Sequence, residues 1–148
     1  MSNKIFLATD HAGFEVKEFV KGKLVEAGFE VVDCGASEYD GEDDYPDFIS
    51  KAVEALVQEP DARAIILGST GQGEAMVANR AMGVRAAVYY GGSLDIITLS
   101  REHNDANTLS LGAGFLTKEE ALQAVTLWLE TPFSNEERHV RRIKKLDD

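Results

Sequence analysis

Five short runs of apolar and β-branched residues recur along the chain, and a helix-periodic stretch follows each one. That alternation constrains the fold more than any other feature. A strand covered on both faces reads as continuous apolar sequence, and parallel strands need a crossover between them, usually a helix. The strands fall at 5–9, 29–34, 64–67, 85–89 and 108–111. After the first, Val16, Phe19, Val20, Leu24 and Ala27 recur at three- and four-residue spacing, and Gly28 supplies a stop. Pro46 suits the start of a helix running to about Gln58, and Pro60 prevents its continuation. Further helices are expected at about 74–81, 94–102 and 118–130, the last with Thr117 as N-cap and Glu120 as its capping-box partner. Ser134 is expected to cap a final basic helix over about 135–146. The whole chain, 1–148, therefore reads as one α/β domain of Rossmann-like (flavodoxin-like) type, a five-stranded parallel sheet with helices on both faces.

Charge and composition exclude several functions. With 26 acidic residues against 15 basic ones, the net charge of −11 repels a phosphate backbone or an anionic membrane surface. No apolar run approaches the ~20 residues of a membrane helix, and the opening residues do not form a signal peptide. A single cysteine, Cys34, rules out an internal disulfide and any cysteine-rich metal site. The expectation is a cytoplasmic globular protein with Cys34 and Trp128 in its core.

In parallel sheets of this kind, ligands bind beyond the carboxyl ends of the strands. Polar clusters lie close to those points. Asp10-His11 follows strand one, an acidic loop with Glu38, Asp40, Glu42, Asp43 and Asp44 follows strand two, and Gly68-Ser69-Thr70-Gly71-Gln72-Gly73-Glu74 follows strand three. Glycines between a buried strand and a helix let backbone N–H groups converge on an anion. The dinucleotide fingerprint fails at Met76, and no Gly-Lys-Ser/Thr follows as a P-loop requires. The loop therefore suits something smaller than a nucleotide, or an anion formed during reaction, or is simply a tight turn. Glu74 on the first helical turn either complements the helix dipole or acts as a general base. Asp10-His11 is an acid/base pair, a hydroxyl clamp, or a helix cap. His103, in Arg101-Glu102-His103-Asn104 just before strand five, reads equally as a helix C-cap. The histidine spacing gives no metal site. At the carboxyl terminus Arg138 and Arg142 share a helix face four residues apart, with His139 beside them. A cation as early in the helix as Arg138 is unfavourable for the dipole, and paired guanidinium groups match a phosphate.

Taken together and in order, these segments resemble the family of type B ribose-5-phosphate isomerases and galactose-6-phosphate isomerase subunits. The resemblance runs from Ile5 to about Ile143. It rests on Asp10-His11-Ala12-Gly13-Phe14 with Lys17, Asp44-Tyr45-Pro46-Asp47, the Gly68-to-Glu74 loop with Ala78-Asn79-Arg80, Gly83-Val84-Arg85-Ala86, Arg101 through Asn107, and Arg138-His139-Val140-Arg141-Arg142. It implies an aldose–ketose isomerase working through an enediolate, without metal or cofactor, in homodimers or dimers of dimers whose active sites are shared between subunits. The implied roles are specific. Asp10, His11 and Tyr45 contact the sugar phosphate, and His103, with Asp10 nearby, assists ring opening. Asn104 holds hydroxyls, while Ser69, Thr70, Gly71, Gln72 and Gly73 bind the enediolate. The neighbouring subunit's C-terminal helix lends Arg138, Arg142 and His139 to the phosphate. One subgroup has a cysteine base at the Ser69 position; here serine followed five residues later by Glu74 makes Glu74 the base. Gly114 stands where many members have arginine, which leaves a longer sugar phosphate such as allose or galactose 6-phosphate open beside ribose 5-phosphate. A non-catalytic sugar-phosphate sensor is the rival from another class.

Overall fold

The computed structural model describes residues 2–148. Five parallel strands form one sheet: β1 (Lys4–Thr9), β2 (Glu30–Asp33), β3 (Arg63–Gly68), β4 (Ala86–Tyr89) and β5 (Thr108–Gly112), in the order β2-β1-β3-β5-β4. Six helices accompany them: α1 (Phe14–Glu26), α2 (Tyr45–Gln58), α3 (Gln72–Ala78), α4 (Asp95–Glu102), α5 (Lys118–Glu130) and α6 (Glu137–Lys144). Among the described residues, no helix is long and apolar enough to cross a membrane.

Alternation along each strand divides the core in two. Ile5, Leu7, Ile65, Leu67, Leu109 and Leu111 pack with α1, α4 and α5 around the fully buried Trp128, as expected for that residue. Phe6, Ala8, Ala64 and Ile66 pack with α2 and α3 on the other face. Crossover handedness explains which helix takes which face. β1→β2 and β4→β5 run one way across the sheet and β2→β3 and β3→β4 the other, so right-handed connections place α1 and α4 opposite α2 and α3. Cys34 is only half-buried, at the border of the second core. It follows the edge strand β2, which has a neighbour on one side alone.

Most element ends match their local chemistry. Thr117 Oγ1 accepts from Glu120 N and Glu120 Oε1 accepts from Thr117 N, completing the expected capping box. Pro46 lies in the first turn of α2. Both ends of α3 and the start of α6 differ from the sequence expectation. α3 starts earlier, at Gln72, because Gly71 adopts a left-handed conformation (φ +79°) that turns the chain into the helix. It also stops early, at Ala78. The Asn79 side chain takes over as a strand-like partner, accepting from Ala86 N at 2.8 Å and donating to Ala86 O at 3.2 Å. At α6 the cap position falls to Glu136, with Ser134 Oγ accepting only the Glu136 N–H at 3.4 Å.

β1 and β3 are neighbours whose outgoing chains leave to opposite faces. Beyond their carboxyl ends a crevice opens at this topological switch point, the usual ligand position in such sheets.

Candidate active site

Asp10-His11 and the Gly68–Glu74 loop form the two lips of that crevice. Thr9 Oγ1 ties them together by donating toward Asp10 O and Leu67 O at 3.0 and 3.1 Å. Asp10 is buried, and its Oδ1 accepts from Ala12 N at 3.0 Å, capping the 3-10 turn His11–Gly13. The capping role of Asp10 read from the sequence is therefore present, and it fixes the carboxylate beside the loop.

The loop itself is built by close approach. Ser110 Oγ donates to Gly71 O at 2.6 Å, and Gly114 N to Ser69 O at 3.0 Å, pinning it onto the end of β5. A Cβ at Gly71 would meet the β5 backbone at 3.1–3.2 Å, and one at Gly112 would press on Thr70 O at 2.6 Å. Gly114 is held near the same loop, where a Cβ would lie 3.0 Å from Ser69 O. A Cβ at Gly73 would come 2.6 Å from the Tyr45 hydroxyl, which places that phenol against the first turn of α3. Ser69, Thr70 and Gln72 remain exposed, while Gly71 and Glu74 are buried.

Glu74 lies only 5% exposed in the first turn of α3, with its carboxylate directly over the Cα of Gly68, where any side chain would collide with it. Burial pushes its pKa above the usual carboxylate range, and the charge of Asp10 pushes the same way. The backbone N–H groups of Glu74 itself and of Gly71 oppose the shift. A carboxylate moved toward neutral pH at a ligand crevice has the properties of a general base.

His11 is oriented by a residue that no sequence motif singled out. Its ring Nδ1 lies 2.6 Å from Asp43 Oδ1, in the acidic loop between β2 and α2. Asp10, His11 and Asp43 each bring a potential metal-ligating atom within 4.8 Å of the others. The His11–Asp43 hydrogen bond accounts for part of that grouping without an ion. Lys17, noted only as part of the first segment, is fully buried and donates to Asp33 Oδ2 at 2.8 Å, Glu18 Oε1 at 3.0 Å and Ala36 O at 2.7 Å. It anchors the chain leaving β2 behind the site.

The remaining candidates stand elsewhere. α4 returns from the carboxyl edge of the sheet to its amino edge, so His103, at the C-cap of α4, and the exposed Asn104 precede the start of β5. From Thr108 to Gly112 alone the strand advances roughly 13 Å. His103 is therefore not near Asp10 within one chain. The reason is directional: a residue before a strand and a residue after one lie at opposite edges of the sheet.

His103 instead meets the C-terminal helix of its own chain. Its ring stacks on that of His139 with centroids 4.3 Å apart and planes 17° from parallel. Ser134 N donates to Glu102 O at 3.2 Å and Gly83 N to Asp147 Oδ2 at 3.0 Å, which lays α6 along the amino edge. His139 is 5% exposed, its Nε2 has no hydrogen-bond partner, and burial, then His103, then Arg138 lower its pKa. Arg138 and Arg142 are exposed; Arg138 Nε reaches Glu136 Oε2 at 3.1 Å, and Arg142 makes no ion pair among the described residues. One chain thus carries two separate polar clusters: a glycine-rich loop with the buried Glu74 carboxylate at one edge of the sheet, and a histidine–arginine cluster at the other.

The chain matches the ribose/galactose isomerase family over residues 5–146. It is 41% identical to ribose-5-phosphate isomerase B of Mycolicibacterium paratuberculosis across 95% of this chain and 87% of the relative. The fold superimposes on the crystal structure of ribose 5-phosphate isomerase from Thermotoga maritima with a TM-score of 0.90 at 41% identity, covering 97% of both chains. It also superimposes on ribose-5-phosphate isomerase B of Mycoplasma genitalium with bound ribulose-5-phosphate, at a TM-score of 0.92 and 36% identity, over 97% of this chain and 93% of that one. A match this long, on this strand order, shows that the chain belongs to the ribose/galactose isomerase family.

Proposed function

We propose that this protein interconverts ribose 5-phosphate and ribulose 5-phosphate by proton transfer, with Glu74 as the base. The observation that carries this reading is the buried Glu74 carboxylate above Gly68, at the switch-point crevice and beside Asp10. The ligand of the Mycoplasma genitalium relative supports the choice of sugar.

In the opened aldose, Glu74 takes the proton from C2. The C–H electron pair becomes the C1=C2 double bond, and the carbonyl oxygen at C1 gains the negative charge. We assign this oxyanion to backbone N–H groups of the 69–73 segment other than those of Gly71, which serves Glu74, and Gln72, which donates to Thr70 Oγ1; β5 already holds the loop in place. Glu74 then returns the proton to C1, while the C2 hydroxyl proton passes to the C1 oxyanion, so that C2 becomes the ketone and C1 a primary alcohol. Asp10, His11 and Tyr45 hold the sugar in place. Ring opening, hydroxyl binding and phosphate capture fall to His103, Asn104, Arg138, Arg142 and His139.

Because those five residues lie at the far edge of the sheet, a complete site takes them from a second copy of the chain. A homodimer is supported by an open β4 edge flanked by exposed Met76, Tyr90, Ile96 and Leu99, apolar surface of the kind that marks an association face. Two arginines and two histidines from one copy would then offset the acidic field of Asp10, Glu74 and the loop of the other.

The test is a panel of pentose and hexose phosphates, with their unphosphorylated counterparts, assayed for isomerisation and for exchange of the C2 hydrogen with deuterated water. Turnover and exchange with ribose 5-phosphate are expected. Binding without exchange indicates a sensor and refutes the proposal, and activity confined to unphosphorylated sugars refutes the arginine assignment.

A further inference from the structure

Asp43 is the least conspicuous acid of its loop, yet its geometry is the most specific. Its Oδ1 receives two donors from the same residue, the backbone N–H of His11 at 3.1 Å and the ring Nδ1 at 2.6 Å. The Asp43 side chain is 8% exposed, and its Oδ2 is buried without any other partner. The carboxylate is therefore committed to His11 alone. An edge-on contact from Tyr39, with ring centroids 6.1 Å apart and planes at 84°, confines the imidazole further. With Nδ1 engaged, Nε2 is the ring nitrogen left without a bond among the described residues. The ring lines a cavity of about 480 Å³ whose other walls include Tyr39, Ala113, Thr117 and Lys118.

We propose that Asp43 is a positioning residue for His11: it holds the ring through Nδ1–H and presents Nε2–H of the imidazolium to the phosphorylated sugar. The inference rests on the reading that His11 contacts substrate, and it adds the residue that sets the charge and direction of that contact. An imidazole held at Nδ1 can donate from Nε2 only when protonated. The bond to Asp43 raises the His11 pKa above its ordinary value, burial opposes it, and Asp10 and Asp40 add to the rise. Glu15 from α1 and Lys118 from α5 also border the cavity, one of each sign. Asp43 alone among these groups touches the ring through a hydrogen bond.

The experiment compares the full-length wild type with Asp43→Asn, His11→Ala and the double variant, using ribose 5-phosphate. Asp43→Asn is expected to raise KM about tenfold and to leave kcat within about twofold, because a ground-state contact is weakened. In the His11→Ala background, Asp43→Asn is expected to change KM by less than about twofold, since its effect passes through the ring. An unchanged KM in the single variant, or a full effect surviving in the His11→Ala background, overturns the proposal. A second readout needs no turnover. The His11 ring, followed by ¹⁵N NMR in the substrate-free protein, should titrate at lower pH in Asp43→Asn than in the wild type, and an identical titration overturns the proposal. A wild type that titrates as expected but turns over no sugar phosphate would defeat the functional reading and leave the Asp43–His11 coupling standing.

Discussion

Gly68→Ala separates the position of the base from its chemistry. A Cβ built at Gly68 falls inside the Glu74 carboxylate, well short of the 3.4–4 Å of ordinary contact. The carboxylate must retreat by roughly 1 Å or more to restore van der Waals distance. It sits at the end of a flexible side chain, so retreat is feasible; in a well-packed pocket such overpacking costs about 1–3 kcal/mol. A misplacement of that size at a reacting group costs about a hundredfold in rate. Gly68→Ala should therefore lower kcat for ribose 5-phosphate by about two orders of magnitude, with a smaller change in KM and a modest fall in the urea midpoint. Gly114→Ala is the control. Its Cβ would lie 3.0 Å from Ser69 O and 3.2 Å from Ser69 Oγ, a contact relieved by shifts of a few tenths of an ångström. It should cost less than about threefold in kcat. A folded Gly68→Ala variant that keeps kcat within about twofold of wild type would refute the placement of the base.

Three further substitutions give four expected outcomes. Glu74→Gln should reduce kcat by about a thousandfold or more and abolish the acidic limb of the kcat/KM profile, which in the wild type lies above the ordinary carboxylate range because burial raises Glu74. The same raised pKa means that ionised Glu74 weakens the fold. The penalty is absent below the unfolded-state pKa and complete once pH exceeds the folded one, so Glu74→Gln should match wild-type stability in acid and exceed it in urea titrations at pH 7. Arg138→Ala should raise KM by about tenfold or more with kcat little changed, measured by steady-state kinetics, while equal KM values would remove its phosphate role. Lys17→Met takes one donor from Asp33, whose carboxylate burial would raise but which Lys17, Gly35 N and Lys21 hold below its usual range, and removes the Lys17 donor from the buried Ala36 O. The expected loss is about 3 kcal/mol in chemical denaturation, because one partner of a buried pair is removed.

Much of the architecture was legible because local signals agreed with tertiary ones. The apolar runs around Ile65 and Leu109 could only be buried strands, and Thr117 with Glu120 marked the start of α5 to the residue. Gly71 and Asn79 explain where local reading failed. The left-handed turn at one and the side-chain pairing of the other with Ala86 move both ends of α3, and each depends on residues distant in sequence. Strand order was not legible, because nothing in the run 86–89 says that β5 inserts between it and β3. For Glu74 the sequence offered two roles, dipole complement and base, and the proposed catalytic one rests on its buried carboxylate over Gly68. The pairing of His103 with Asp10 came from the family resemblance alone, while its place before β5 sets it at the amino edge of its own sheet. Asp43 was hidden differently, since five acids within seven residues look alike until one of them closes on the His11 ring.

The most direct measurement mixes two inactive chains. Glu74→Gln disables the loop half-site and His103→Gln the histidine half-site, so a mixed dimer holds one doubly damaged site and one intact one. Random re-pairing of equal amounts, after reversible dissociation, should restore roughly a quarter of wild-type turnover of ribose 5-phosphate. Activity that stays at the sum of the two separate variants would contradict a site assembled from opposite edges of two sheets.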